Sequence, residues 1–539
     1  MIRKKVTRCF MKSNFFKYVF ILFAVGIVAY SIYAIYFKDK DYQTEGQNEI
    51  VEEEVVETKD LRLGISNFDT MNPLLTTNKE VLNIDKLIFE PLLTIDEDYK
   101  VTLCLAKECS KTSETSYVIK IDNNTKWQDG SPLIAKDIQF TIDRLKEGKS
   151  IYSYNVEKVT SVEILDADTV KINLSQEVPF FEYNLTFPIL PNNYYINEDF
   201  NTSTKIPIGT GMYSITKIEN GTITLAQNTK WWNRKNQTPK IETIHIKLYE
   251  QMGELYNSFK LGNIDFFTTA NSNLENYIGT IGYAKQEFKG RNFDYLAFNC
   301  QNDILKSKEV RKAINYAIDK TNLVSTVYNN TCYVSDFPLD FGSYVYEKTA
   351  ASASYNPEQA KKVLTDSGWT YKNNSWRKTE QYRTIKLTLT LTVNETNEKR
   401  VAVAENVKAQ LAQIGIPVTI RKVSDSKYKT VLQEKNYEMI LTGVYNGFSP
   451  DVSTFFGANN LQNYSNEELN SLLTEVKNVK EDNLLKEKYK RIIDIYEAEQ
   501  PFISLYRNKN TAVKSQNLAG EVLTNNYTSY YRFYTWYRM

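Results

Sequence analysis

The chain has 539 residues, 42% of them hydrophobic and 24% charged, enough for two or three domains with sizeable cores. Sixty-six basic residues against 65 acidic ones leave a net charge of +1, which excludes the broad cationic surface that a nucleic-acid partner needs. A single histidine severely limits any metal or nucleophilic site, and five cysteines do not make a disulfide framework.

Residues 18–37, YVFILFAVGIVAYSIYAIYF, run for twenty positions without a charge, the length of a helix that crosses a bilayer. Arg3, Lys4, Lys5, Arg8, Lys12 and Lys17 precede this run and an acidic stretch follows it. The positive-inside rule therefore places a basic segment 1–17 in the cytoplasm and the body of the protein outside. Ser31-Ile32-Tyr33-Ala34 is a poor cleavage site, so a retained single-pass anchor is expected instead of a cleaved signal peptide. Cys9 lies ahead of the apolar run and is not placed for lipid modification. Residues 38–60 are polar and acid-rich, the composition of a solvated tether.

Beyond the tether, strand and helix patterns alternate. YVIKIDNNTKW reads as a strand, Asp129-Gly130 as a turn, and the segment from Ala135 as a helix with Ile138, Ile142 and Leu145 on its apolar side. Asp129 and Asp137 are a candidate acid pair, but a turn and a helix's first turn account for them without chemistry. His245, in the strand pattern IETIHIKLY, shares the polar face with Thr243 and Lys247. KEVRKAINYAIDK puts Val310, Ala313, Ile314, Ala317 and Ile318 on one helical face. In NPEQAKKVLTDSGW, Asn356 is placed to cap, Pro357 fits the first helical position and Gly368 the stop. IKLTLTLTV reads as one strand with Ile385, Leu387, Leu389 and Leu391 facing one way. SNEELNSLLTEV opens with a capping box of Ser465 and Glu468. The aromatic tail from Asn525 to Met539 is either a final strand with a packed face or a contact surface. Cys104, Cys109, Cys300 and Cys332 read as buried thiols, with a Cys104–Cys109 bridge left open.

No HExxH, GxSxG, P-loop or GxGxxG after a strand is present. Carboxylates abound, and a glycosidase needs only a pair of them, but in an exposed protein most serve as solvated surface. The pattern points to binding, with no catalytic residue, metal or cofactor expected.

Several stretches, in register from about Leu61 to Leu505, resemble the family 5 extracellular solute-binding proteins, the peptide- and nickel-binding components of ABC importers. NTKWQDGSPLIAKDIQFTIDRL matches the family pattern through Trp127, Asp129, Gly130, Pro132, Ala135 and Asp137. SKEVRKAINYAIDKTNLV matches its VRxAxxxAID helix through Val310, Arg311, Ala313, Ala317, Ile318 and Asp319. Asn72-Pro73, FEPLLTID with Glu90, IPIGTGMY with Gly209, Thr210 and Gly211, LGNIDFF with Gly262 and Asp265, YNPEQAKKVLTDSGW and IGIPVTI add to the agreement.

The resemblance implies an α/β, two-lobed, periplasmic-binding-protein-like fold of class II, with a two-stranded hinge and an additional third domain. Lobe I would comprise 61–105, 206–298 and 500–539, the extra domain 106–205, and lobe III 299–499. It also implies capture of an oligopeptide by closure of the lobes and delivery to the permease of an ABC transporter, by a receptor that works as a monomer.

Peptide binders of the family usually carry a GWxxDxxxP loop whose aspartate holds the peptide's α-ammonium. Here GVYNGFSPDVSTFF keeps Gly443 but has Val444 for tryptophan and Gly447 for the aspartate, so the usual amine anchor is missing. A charge-assisted bond of this kind is worth about 1.5–3 kcal/mol. Its loss shifts preference toward N-blocked or internal peptide segments, or toward uncharged ligands such as oligosaccharides. Expected ligand contacts are Tyr445, Asn446 and Asp451 in this loop, and Thr77 and Asn78 in the segment after Asn72-Pro73. Two rival readings stand beside transport: a peptide-signal receptor without a transporter, and a cell-surface hydrolase.

Overall fold

The computed structural model describes residues 59–539 except 123, 272, 349–353 and 381. The basic segment, the apolar run 18–37 and nearly all of the tether lie outside the described residues. Among the described residues, no helix is long and apolar enough to cross a membrane.

A four-stranded sheet forms first. Asp60–Ser66 pairs in parallel with Thr243–Tyr249, which continues antiparallel to Thr222–Gln227 and Tyr213–Glu219. Leu61, Leu63 and Ile65 alternate inward against Ile244 and Ile246, as a half-buried sheet demands. His245 sits on the other face, paired with Arg62 and Thr224, where its alternation places it.

The passage around Trp127 and Asp137 is framework. A second four-stranded sheet, Ala106–Ser113, Ser116–Ile121, Thr169–Leu174 and Val159–Ile164, packs with the helix Ala135–Lys146 through Ile138, Ile142 and Leu145. Ile134, at the helix N-cap, has no side-chain acceptor. Asp137 replaces one from inside the helix, taking the Ile134 amide at 3.0 Å, the Trp127 indole at 3.1 Å and the Asn192 amide at 2.7 Å. Glu90 is likewise buried, accepting from Thr210 at 2.7 Å and from the indoles of Trp231 and Trp232 at 2.9 and 2.7 Å. Arg311 donates to the carbonyls of Leu305, Glu499 and Gln500, tying its helix Lys308–Ala317 to the end of Asp482–Glu499.

The third sheet is mixed and has seven strands. Its centre is a long antiparallel pair, Tyr283–Phe298 and Phe502–Ser515. At one end Phe502–Ser515 pairs with Phe266–Thr269. At the other, Tyr283–Phe298 pairs with Met439–Tyr445, which leads to the parallel neighbours Leu389–Asn394 and Val418–Val423. Between the two ends the register shifts, from Lys289 opposite Lys509 to Phe293 opposite Arg507. Gly290 lies in this irregular stretch, where an added Cβ would stand 2.1 Å from Asn508 Oδ1. Helices Lys308–Ala317, Pro357–Asp366 and Glu398–Gln413 bury Val310, Leu364, Val407 and Leu411 against Leu296, Leu391 and Leu441. An aromatic core including Tyr295, Phe337, Phe456, Tyr496 and Phe502 fills the space beside it.

Three local expectations change. IKLTLTLTV is two strands in different sheets, Arg383–Lys386 and Leu389–Asn394, although Ile385, Leu387, Leu389 and Leu391 do reach one core. Helix Glu467–Glu475 is capped by Asn466, whose side chain accepts the Leu469 amide at 2.9 Å, not by Ser465. Glu468 turns outward and pairs with Arg491 at 2.6 and 2.8 Å. The tail forms no long strand. A short 3-10 turn, Phe533–Thr535, and the two-residue strand Tyr537–Arg538 suffice to bury Phe533 and Trp536 against Phe266 and Tyr213. Cys104, Cys109, Cys300 and Cys332 are free thiols.

Candidate ligand cleft

The strand Met439–Tyr445 builds the site. Its pairing sets Gly443 opposite Asp294 and Tyr445 opposite Asn292. Asp294 falls between Phe293 and Tyr295, both buried, so strand alternation turns its carboxylate to the opposite face. There it receives the guanidinium of Arg400 in a fork, at 2.7 Å from Nε and 2.8 Å from a terminal nitrogen. Tyr506 donates to the same carboxylate at 3.0 Å, and Tyr328 to Tyr506 at 2.6 Å. Asn397, the N-cap of helix Glu398–Gln413, accepts the Arg400 amide at 3.0 Å and so fixes where the arginine starts.

Gly443 is required by this cluster. A Cβ there would stand 2.1 Å from Asp294 and 2.4 Å from Arg400. Burial works against the charge of Arg400, but the bond to Asp294 and its negative charge outweigh it and raise the pKa above the usual arginine value. Burial and then Asp294 push the Tyr506 hydroxyl well up.

Around the cluster is a cavity of about 400 Å³, within the span of roughly 300–1,000 Å³ common for small-molecule sites. Asn292, Lys399, Val444, Tyr445 and Asn508 complete much of its wall. A smaller cavity of about 90 Å³ opens toward the other end of the long strands. It is lined by Glu275, Lys285, Glu287 and Lys509, which pair as Lys285–Glu275 at 3.2 Å and Lys509–Glu287 at 2.9 Å.

Past Tyr445 the chain locks onto Arg291. The Asn446 amide donates to the Arg291 carbonyl at 3.0 Å, and Arg291 Nε donates to the Asn446 carbonyl at 2.6 Å. The guanidinium carbon lies 3.7 Å from the ring centre of Phe448 and 4.4 Å from that of Tyr445, so Arg291 is held between two aromatic faces. Phe448 in turn stacks on Tyr99 at 5.7 Å and meets Tyr527 edge-on at 5.5 Å.

Of the five residues expected to touch ligand, Tyr445 and Asn446 lie here together. Tyr445 is exposed on the cavity wall, and Asn446 is buried, its side-chain Nδ2 donating to the Pro338 carbonyl. Asp451 is turned away into a local cap, accepting the Ser453 amide at 2.9 Å and the Ser453 hydroxyl. Thr77 donates its amide to Asp69 at 2.7 Å. Asn78 caps helix Lys79–Ile84, accepting from Glu80 at 2.9 Å, and donates to the Ser66 and Asn67 carbonyls at 2.7 and 2.9 Å. Sequence reasoning missed Asp294, Arg400, Tyr506 and Arg291. A charge flanked by aromatics in a strand, as in NFDYLAF, was the available signal for Asp294. Among the described residues no group of three His, Cys, Asp or Glu is placed to hold a metal ion.

A mixed α/β, periplasmic-binding-protein-like fold with a ligand-sized cavity beside its long strand pair defines a class of solute-binding proteins. Residues 100–466 match the family described as bacterial extracellular solute-binding proteins, family 5 Middle, and the chain belongs to that family. The chain is 24% identical over 473 residues to the oligopeptide-binding protein AppA of Bacillus subtilis (strain 168), covering 83% of this chain and 86% of that one. The solved structure of the Bacillus subtilis AppA in complex with a nonapeptide superposes with a TM-score of 0.56 over 89% of this chain and 99% of that one, at 24% identity. MppA, a periplasmic murein tripeptide binding protein in an unliganded open form, gives 0.75 at 19% identity over 89% and 98%. HbpA2 from Haemophilus parasuis gives 0.75 at 20% identity over 89% and 100%.

Proposed function

We propose that the protein captures short peptides outside the cell by closing two lobes around them and delivers them to an ABC permease, without a catalytic step. The observation that carries this reading is the cavity at Gly443, Asp294 and Arg400, beside the long central strand pair of the third sheet. Residues 61–105, 206–298 and 500–539 would form lobe I, 299–499 lobe III, and 106–205 the extra domain. The strands Tyr283–Phe298 and Phe502–Ser515 would act as the hinge at their register shift. The names of its relatives, an oligopeptide-binding AppA and a murein tripeptide-binding MppA, support the peptide as ligand class.

To pass from mostly open to mostly closed, the ligand must favour the closed form by about 5.5 kcal/mol. Several backbone hydrogen bonds of about 1 kcal/mol each, with buried apolar area, supply this. The apolar run 18–37 would hold the receptor at the membrane as a single-pass monomer, so that captured peptide is released close to its permease. The test is mass spectrometry of small molecules that co-purify with the full chain in detergent, followed by calorimetry with whatever is found. Peptides of two to about ten residues are expected; recovery of only sugars or of no solute overturns the reading.

A further inference from the structure

The charges along the ligand strand do not balance. Two cations line the cavity, Arg400 and Lys399, and a third, Arg291, is held beside its wall between Tyr445 and Phe448. One carboxylate, Asp294, stands against them, and it is already filled by the Arg400 fork and the Tyr506 hydroxyl. Among the described residues, Lys399 donates only to the Val327 carbonyl at 3.0 Å, and Arg291 only to the Asn446 carbonyl. No carboxylate lies within ion-pair distance of either, among the described residues. The smaller cavity is different: Glu275 and Glu287 match Lys285 and Lys509 there.

Arg291 has a further significance. It is gripped by the residues on both sides of Gly447, which the family resemblance puts in the place of the amine-holding aspartate. A fixed guanidinium there repels an ammonium and attracts a carboxylate. A half-buried guanidinium held by aromatic rings and one carbonyl gains more from an arriving anion than a solvated one does. Lys399, in the first turn of helix Glu398–Gln413, adds its charge to the positive end of that helix's dipole.

We propose that the solute is anionic: a short acidic peptide whose carboxylates meet Arg291 at one end of the ligand strand and Lys399 with Arg400 at the other, with no part played by a free α-amine. This rests on the peptide-capture reading and narrows its ligand class. Selectivity then comes from charge, and the amino end of the peptide is free to be blocked.

The test is calorimetry on the full chain in detergent with four tripeptide mixtures, each randomised at the middle position: Glu-Xaa-Glu, its N-acetyl form, N-acetyl-Gln-Xaa-Gln-amide, and Lys-Xaa-Lys. Both acidic mixtures are expected to bind at least about tenfold tighter than the neutral one, with acetylation changing affinity less than about threefold, and with affinity falling as salt rises. Lys399→Gln, on an exposed side chain, and Arg291→Gln are each expected to remove about tenfold of that preference, and Arg291→Lys to keep part of it. Neutral or basic mixtures binding as tightly as acidic ones, or acetylation abolishing binding, overturns the anionic assignment while leaving peptide capture intact. Binding of none of the four overturns peptide capture itself.

Discussion

Arg507 is fully buried in the strand Phe502–Ser515, its guanidinium 4.7 Å from the ring centre of Phe293 and bonded to the carboxylate of Asp340, itself buried. Lys289 reaches the other oxygen of Asp340 at 3.1 Å. Burial lowers the pKa of Arg507 while Asp340 opposes that, so the acid is what keeps this charge tolerable inside the protein. Removing one member of such a pair strands the other, and Asp340→Asn is expected to cost about 3–5 kcal/mol, read as a lower urea midpoint with an unchanged slope. Lys86 presents the opposite case. It donates to the Tyr527 carbonyl and lies 4.5 Å over the Tyr527 ring, and burial together with the charge of Arg291 pushes its pKa down to about 8. An unfolded chain holds that proton up to about 10.5, so between these values the unfolded state binds more protons and stability rises with pH. Urea unfolding at about pH 7.5 and about pH 9.5 is expected to show Lys86 gaining stability at the higher pH relative to Lys86→Met, and an equal difference at both would refute the assignment.

At the scale of elements, what the sequence made legible was whatever depends on neighbours in the chain. Asn356 caps Pro357–Asp366, Gly368 follows it with φ +88°, and Ala135–Lys146 begins where its pattern implied. Tyr445 and Asn446, picked out through the resemblance, do lie beside the cavity cluster, because both follow Gly443 closely in the chain. Asp294 and Arg400 are 106 residues apart, and nothing local marks them as a pair until the sheet sets Asp294 beside Gly443. The same limit explains IKLTLTLTV: its alternation is continuous, but the chain changes sheets after Lys386, a change that tertiary pairing imposes. Asn78 shows how an element can absorb an expected binding residue. Its side chain accepts from Glu80 and Val81 and donates to the carbonyls of Ser66 and Asn67, which uses its hydrogen-bonding capacity inside the protein. Asn78→Ala is therefore expected to cost about 1–2 kcal/mol of stability in denaturant melts. Solute affinity is expected to stay within about twofold by calorimetry at a temperature where both proteins are folded; a loss beyond about tenfold would restore Asn78 as a ligand contact.

On the scale of the whole molecule, the proposed closure would depend on where the third sheet can bend. A regular antiparallel pair resists bending because each residue is tied across, but between Lys289 and Phe293 the pairing slips and Gly290, Arg291 and Asn292 have no regular partners in Phe502–Ser515. Asn508 bridges the gap by accepting the Asn292 amide at 3.0 Å, a bond that moves with the strands. The same few residues also place Arg291 against Tyr445 and Phe448, so the proposed hinge and the proposed cationic end of the site would be one structure. Fluorescent labels can read the motion if only engineered thiols react. Burial pushes Cys109 up to about 12 and Cys300 and Cys332 up to about 11, and raises Cys104 well above its ordinary value, so all four are poor nucleophiles near neutral pH. With Cys9→Ser in place, labels at Leu261→Cys and Tyr382→Cys, both exposed, would report on the proposed lobes I and III. Saturation with a binding peptide is expected to move the transfer efficiency from a broad distribution to one narrow, altered value, as a shift worth about 5.5 kcal/mol between the two forms requires. In Gly290→Ala, the new methyl would meet the Asn508 side chain and break its bond to Asn292, so the peptide-induced shift is expected to shrink and affinity to fall together, while a peptide that binds without any change in transfer efficiency would rule out closure as the means of capture.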